Sequence, residues 1–266
     1  MNGFNLYGRY FAANMRAQMQ YRMSFLLLTA ASFIGTGIEV LGLLALFGRF
    51  GSLKGFSFPE ILFFYGIINI AFAFAEFFGR GFITFSAMVK SGNFDRVLLR
   101  PRSAALQISA NELQFRRIGR LAQGLAAFVA ACVILPVHWH PLSIVLLFVT
   151  VAGGAALFVA LFMLQATLCF WSTETLEIAN TVTYGGVETG QYPMSIYKRR
   201  FREFFTVIIP LACVSFYPAL AMLGRTDPGG MPLVLQYLSP LAGFVFLGFA
   251  LVVWKFGVRH YRSTGS

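Results

Sequence analysis

Residues 121–173 read LAQGLAAFVAACVILPVHWHPLSIVLLFVTVAGGAALFVALFMLQATLCFWST, without a single Asp, Glu, Lys or Arg. Helices of a soluble domain keep one polar face for water, and this stretch offers none. A helix needs ~20 predominantly apolar residues to cross a bilayer core. The run is long enough for two crossings, and Pro136-Val137-His138-Trp139-His140-Pro141 cuts it in the middle. It therefore reads as two antiparallel spans joined by a tight turn. Composition agrees: 58% of the 266 residues are apolar, 12% are charged and 31 are Phe, with a mean hydropathy of +0.71. Soluble domains carry about 25% charged residues. The fold class expected is an all-α membrane protein.

On either side of this run the hydropathy repeats the pattern. Spans are expected over about 23–48, 58–79, 115–135, 142–171, 204–224 and 233–256, six in all. Ser57, Pro59 and Glu60 mark a helix start, with a capping Ser, an early Pro and a Glu at the third helical position. Ser239-Pro240 places the regular start of the last helix near residue 240. Residues 1–22 contain no cleavable apolar leader. On a helical wheel Asn2, Asn5, Arg9, Arg16 and Gln20 gather in one stripe, as in a helix lying in the headgroup plane.

An even number of spans puts both termini on one side, and the basic residues test this. Eighteen of the 21 Lys and Arg then fall on the side of the termini and of the two longer loops, and three on the other. The positive-inside rule makes the crowded side cytoplasmic. The net charge of +11 is accordingly read as a topology signal and not as a nucleic-acid surface. The chain is expected to be one membrane domain over residues 1–266, with a first cytoplasmic loop over 80–114 and a second over about 172–202.

Ionisable groups within spans are functional candidates by default. Glu39 shares a helix face with Ala31, Gly35 and Gly42, a face suited to close packing or to lining a cavity. It reads either as a substrate or proton contact or as a hydrogen-bonded structural carboxyl. Asn69, Ala73, Glu76 and Arg80 form a similar stripe, where a local Glu76–Arg80 pair competes with a transport role. Pro210 and Pro218 remove helix hydrogen bonds from the fifth span and are expected to kink or break it. Cys132, Cys169 and Cys213 fall in apolar runs, which predicts three buried thiols with neither a disulfide framework nor a metal cluster. His138 and His140 lack the Cys or carboxylate partners of a metal site. No phosphate-binding G-x-x-x-x-G-K-[ST] loop, H-E-x-x-H or G-x-S-x-G occurs, so the chain is not expected to be an enzyme.

The one charged and amphipathic interruption is Ser91–Arg102, SGNFDRVLLRPR. Gly92 and Asn93 break the preceding helix, Asp95 favours a new helix start, and Pro101 stops it. Phe94, Val97, Leu98 and Leu99 would form an apolar knob flanked by Arg96 and Arg100. The segment resembles the first cytoplasmic loop of ABC-2 type transporter permeases, and in particular a small six-span bacterial family. Gly92, Phe94, Asp95, Leu98, Arg100 and Pro101 fit that family's loop pattern. Tyr192-Pro193, Ile209-Pro210, Tyr217-Pro218 and Tyr261-Arg262-Ser263 extend the likeness over most of the chain.

The resemblance implies a multi-pass, export-type permease half of the bacterial cytoplasmic (inner) membrane, and the aromatic-rich spans with few buried charges suit a hydrophobic or amphipathic cargo. It implies a second permease half, identical or related, and two copies of a P-loop ATP-binding subunit that carry ATP and Mg. Coupling would run through Asn93, Phe94, Asp95, Arg96, Leu98, Leu99, Arg100 and Pro101. Membrane lipid is the remaining expected partner, and nucleic acid is not one. The competing expectation is a carrier driven by a proton gradient through Glu39 or Glu76.

Overall fold

The computed structural model describes residues 16, 20, 22–111, 117–137, 139–171 and 176–261, and these form helices joined by turns. The interfacial helix expected over 1–22, His138 and the first residues of the third expected span lie almost wholly outside the described residues. Among the described residues four helical stretches are long and apolar enough to cross a membrane: Leu26–Phe50, Phe58–Lys90, Pro141–Leu168 and Leu241–His260. A bent pair, Arg199–Ile208 with Leu211–Leu223, makes a fifth if taken as one span, and Ile118–Ile134 is a shorter apolar helix.

The centre of the bundle is α2 (Phe58–Ile83), which follows α1 (Arg22–Phe50). Residues 61–73 of α2 are all buried, Phe63, Tyr65, Ile68 and Phe72 among them. In lipid it is polar side chains that gain most by sitting inside the bundle, and the Asn69 and Glu76 side chains of α2 are both buried. It starts as expected, with the Ser57 amide donating to Glu60 Oε2 at 2.8 Å. Its walls are α6 (Ile118–Ile134) and α7 (Pro141–Leu168), reached after the short helices α3 (Phe85–Lys90), α4 (Asn93–Leu98) and α5 (Ala104–Asn111). By contrast α1 exposes Leu26, Leu27, Ile34, Ile38 and Leu41, apolar surface of a kind that belongs in lipid or against another helix.

Six more α-helices follow α7 among the described residues. They are α8 (Leu176–Gly190), α9 (Arg199–Glu203) with a π-helical turn Phe204–Ile208, α10 (Leu211–Val214) and α11 (Phe216–Leu223), then α12 (Leu233–Leu238) and α13 (Leu241–His260). The fifth expected span is thus broken, with a bend of 73° between Arg199–Ile208 and Leu211–Leu223. Pro210 sits at that break, at φ −74° and ψ 51°. A second interruption falls at Ser215 (φ −132°, ψ −68°), between α10 and α11, and leaves Pro218 in the first turn of α11, where its missing N–H is not needed. The last helix divides at Ser239-Pro240, as its sequence suggests.

Residues 176–190, expected within a cytoplasmic loop, instead form a helix along the middle of α2. Tyr184 meets the Phe72 ring edge-on at 5.7 Å, and a side chain at Gly190 would touch Ile68 and Leu211. Of the cysteines, all three are free thiols; Cys169 and Cys213 are buried, whereas Cys132 is only half-buried.

Glycine sets a close crossing between α7 and α13. A Cβ on Gly153 of α7 would strike the Pro240 carbonyl, and one on Gly243 of α13 would strike the Gly153 carbonyl. Backbone contact of this kind requires the absence of a side chain on both helices. Gly243→Ala is expected to cost about 1–3 kcal/mol by overpacking. The check is the thermal unfolding midpoint in detergent, with Gly248→Ala as control, since nothing lies within 4 Å of a Cβ there.

Candidate coupling surface and buried polar groups

The Ser91–Arg102 segment folds as its residues dictate. Gly92 adopts φ +67°, a left-handed conformation that a side chain would disfavour, and this turns the chain between α3 and α4. The Ser91 hydroxyl donates to the Met88 carbonyl at 3.2 Å, and Asn93 Nδ2 donates to Ser91 Oγ at 2.8 Å. Asp95 lies in the first turn of α4, where a carboxylate favours the exposed N–H groups. Beyond Leu98 the helix ends, and Pro101 follows within three residues. Gln107 of α5 ties the segment down by donating to the carbonyls of Val97 at 3.3 Å and Arg102 at 3.2 Å. Below it, the Ile108 carbonyl rests on Gly81 of α2, and Ser109 Oγ donates to the Phe78 carbonyl at 2.6 Å.

The two faces of α4 differ. Phe94, expected on the outward knob, is fully buried instead. Its ring meets Phe85 at 4.9 Å, Tyr261 at 4.9 Å, Phe170 at 5.7 Å and Trp254 at 6.4 Å, mostly edge to face. Phe170 follows α7, Trp254 belongs to α13 and Tyr261 follows α13, so one side chain joins the loop to the ends of two long helices. An aromatic cluster wins here because a Phe ring recovers more by burial among rings than by contact with a transient partner. Val97 is half-buried. The outward face holds Asn93, Arg96, Leu98, Leu99, Arg100 and Pro101, with Leu99 85% exposed. Beside it lies a groove of about 460 Å³ lined by Met88, Asn93, Arg96, Val97, Arg100 and Asn111, among others.

The intramembrane candidates fall into two sets. Tyr65 donates its phenolic hydrogen to Glu39 Oε2 at 3.1 Å, and Gln123 Nε2 donates to the same Tyr65 oxygen at 3.1 Å. Three helices, α1, α2 and α6, are thereby linked through polar groups. Asn69 is buried one turn below and donates through Nδ2 to the Tyr65 carbonyl at 3.0 Å. Glu188 of α8, which no sequence motif singles out, lies near enough to Glu39 to act on it electrostatically.

Glu76, 1% exposed, belongs to the second set. Its carboxylate lies 3.0 Å from Arg117 Nη2 and 3.6 Å from Arg120 Nη1, both at the start of α6. The expected stripe on α2 named Arg80 as its partner; Arg117 and Arg120 come from α6, outside that stripe. Arg120 also lies over the Phe72 ring at 5.0 Å. At the opposite end of α2, Arg225 Nε lies 2.6 Å from Glu60 Oε1 and its Nη1 donates to the Gly55 carbonyl at 3.0 Å, closing that end of the bundle.

Comparison with known proteins gives one result. A family model described as ABC-2 family transporter protein matches residues 33–265. No curated protein matched the chain. No solved structure matched it either.

Proposed function

The chain belongs to the ABC-2 transporter family, as a multi-pass membrane permease, and we propose that it is one half of an exporter driven by separate ATP-binding subunits. The observation that carries this is the outward face of α4. Leu98 and Leu99 stand exposed between Arg96 and Arg100, and Phe94 roots the same turn beside Phe170 and Trp254. Exposed leucines ringed by arginines suit a partner surface with an apolar pocket and acidic rim. Force applied there reaches α7 and α13 through packed rings rather than through a loose loop.

In this reading two ATP-binding subunits carry ATP and Mg, and the chain itself performs no chemistry. Six crossings are counted by taking Ile118–Ile134 and the bent pair as spans alongside the four long helices. The 18-to-3 distribution of basic residues then puts both termini and α4 in the cytoplasm of a bacterial inner membrane. The open face of α1, where Gly35 and Gly42 have nothing within 4 Å of a Cβ position, suits a second permease half, identical or related. A hydrophobic or amphipathic cargo fits the apolar bundle, and Glu39, Tyr65, Asn69 and Glu188 are its polar contact candidates. Pro210 supplies the bend that separates α9 from α10 beside them.

The test is purification of the chain in mild detergent from its native host. A P-loop ATPase should co-purify, and its hydrolysis should rise in the complex. A chain that instead transports in proteoliposomes under a pH gradient, without any ATPase, would establish the carrier reading.

A further inference from the structure

Along the outside of α13 a groove of about 350 Å³ runs against the start of α5. Leu251, Trp254, Lys255 and Arg259 line it from α13, and Ser103, Ala104 and Ala105 from the other side. Trp254 is buried and belongs to the aromatic cluster around Phe94, so the groove has a packed floor. Lys255 and Arg259 lie one turn apart on one face of the helix, and both are exposed. Among the described residues neither takes part in an ion pair. Both cations are therefore on offer to a ligand. The same face continues as an apolar stripe toward the N-terminus of α13. Phe244 and Leu251 are exposed on it, and nothing lies within 4 Å of a Cβ at Gly248 between them. Positions 244, 248, 251, 255 and 259 follow at intervals of three or four residues, which keeps them on one side of the helix. From Phe244 to Lys255 the helix rises about 16 Å, half the ~30 Å bilayer core that the acyl chains of one leaflet fill.

An apolar stripe as long as one acyl chain, ending in two unpaired cations, complements a hydrocarbon tail with an anionic head. We infer that this face of α13 is a binding site for an anionic phospholipid of the leaflet at the C-terminal end of the helix. The phosphate sits between Lys255 and Arg259, and an acyl chain follows Leu251, Gly248 and Phe244. An ammonium and a guanidinium both donate strong, charge-assisted hydrogen bonds to phosphate oxygens. Basic pockets beside membrane helices at a bilayer surface recognise acidic headgroups in this way. The tail needs only contact, which the open stripe supplies. A zwitterionic head brings its own cation toward Lys255 and Arg259, so the net charge of the lipid decides which one is held. The site is separate from the outward face of α4 and from the Glu39–Tyr65 contact, so it goes beyond the proposed transport role.

The test measures lipid binding to the detergent-purified full chain by native mass spectrometry, titrating dioleoyl phosphatidylglycerol against dioleoyl phosphatidylcholine. The wild-type chain should take up phosphatidylglycerol roughly 25-fold more tightly, from about fivefold for each of two basic residues near the surface. Lys255→Gln with Arg259→Gln should bring that preference close to one and leave the fold intact, since both side chains are exposed and unpaired. Lys198→Gln with Arg200→Gln removes the same charge from two other exposed positions and should leave the preference unchanged. Equal affinity of the wild-type chain for the two lipids overturns the proposal, as does an undiminished preference in the Lys255/Arg259 variant. An equal loss in the Lys198/Arg200 variant also overturns it, because overall charge would then be the cause. So does a thermal stabilisation by glycerol phosphate equal to that by phosphatidylglycerol, which would mark a site for a small anion. A wild-type chain that takes up neither lipid, and whose dimer Leu251→Glu dissociates, would give this face to a second copy instead.

Discussion

A chain carrying Leu98→Asp together with Leu99→Asp is expected to accumulate in the membrane normally and to lose its ATP-binding subunit. Leu99 is 85% exposed and Leu98 40%, so their replacement removes little internal contact of the bundle. A partner that buries them would meet two carboxylates in an apolar pocket. Central contacts of this kind cost about 2 kcal/mol or more when removed, which weakens association roughly 30-fold. Phe94→Ala, four residues away, should behave in the opposite order. Emptying a fully buried Phe position from the cluster with Phe85, Phe170 and Tyr261 costs about 3–5 kcal/mol, so the protein itself loses stability. Co-purification of the ATPase and the thermal unfolding midpoint, measured on both variants, separate the two roles. Retention of the ATPase by the Leu98/Leu99 variant would place the docking surface elsewhere. An unaltered midpoint for Phe94→Ala would remove the mechanical link between α4 and the long helices.

Much of this arrangement is local chemistry, and local chemistry is legible in a single sequence. Gly92 marks a left-handed turn, Asp95 a helix start, and Ser57 with Glu60 a cap, because each acts on backbone groups within a turn of itself. The long helices are equally legible, since hydropathy over ~20 residues carries their length. What escapes is decided by neighbours distant in sequence. Helix α8 has no hydropathy peak, because Asn180, Thr181, Thr183 and Glu188 dilute its apolar residues; its place beside α2 depends on Phe72 and Ile68. The inward turn of Phe94 depends on Trp254 and Tyr261, more than 150 residues later. A Phe within an amphipathic segment carries no mark telling which of two apolar environments it will take. Glu76 shows the same limit: the helical stripe gives Arg80, whereas Arg117 and Arg120 reach it only once α6 has packed.

That last pairing separates the transporter reading from its competitor. Glu76→Gln is expected to destabilise the chain by about 3–5 kcal/mol, because it removes the counter-charge from Arg117 and Arg120 while leaving them partly buried. Adding Arg120→Gln to that variant should recover part of the loss, since one fewer cation then lacks its carboxylate. Glu39→Gln should differ sharply. Glu39 is only partly buried and accepts from the Tyr65 hydroxyl, a bond that a Gln carbonyl can also accept, so the cost should stay within about 1 kcal/mol. Thermal midpoints of the three variants test the ranking, and transport under a proton gradient tests its meaning. A Glu76 that must bind and release protons to drive transport would give a stable Glu76→Gln protein that no longer moves substrate. A Glu76 that holds α2 to α6 gives an unstable one, and partial rescue by Arg120→Gln identifies lost charge balance as the cause.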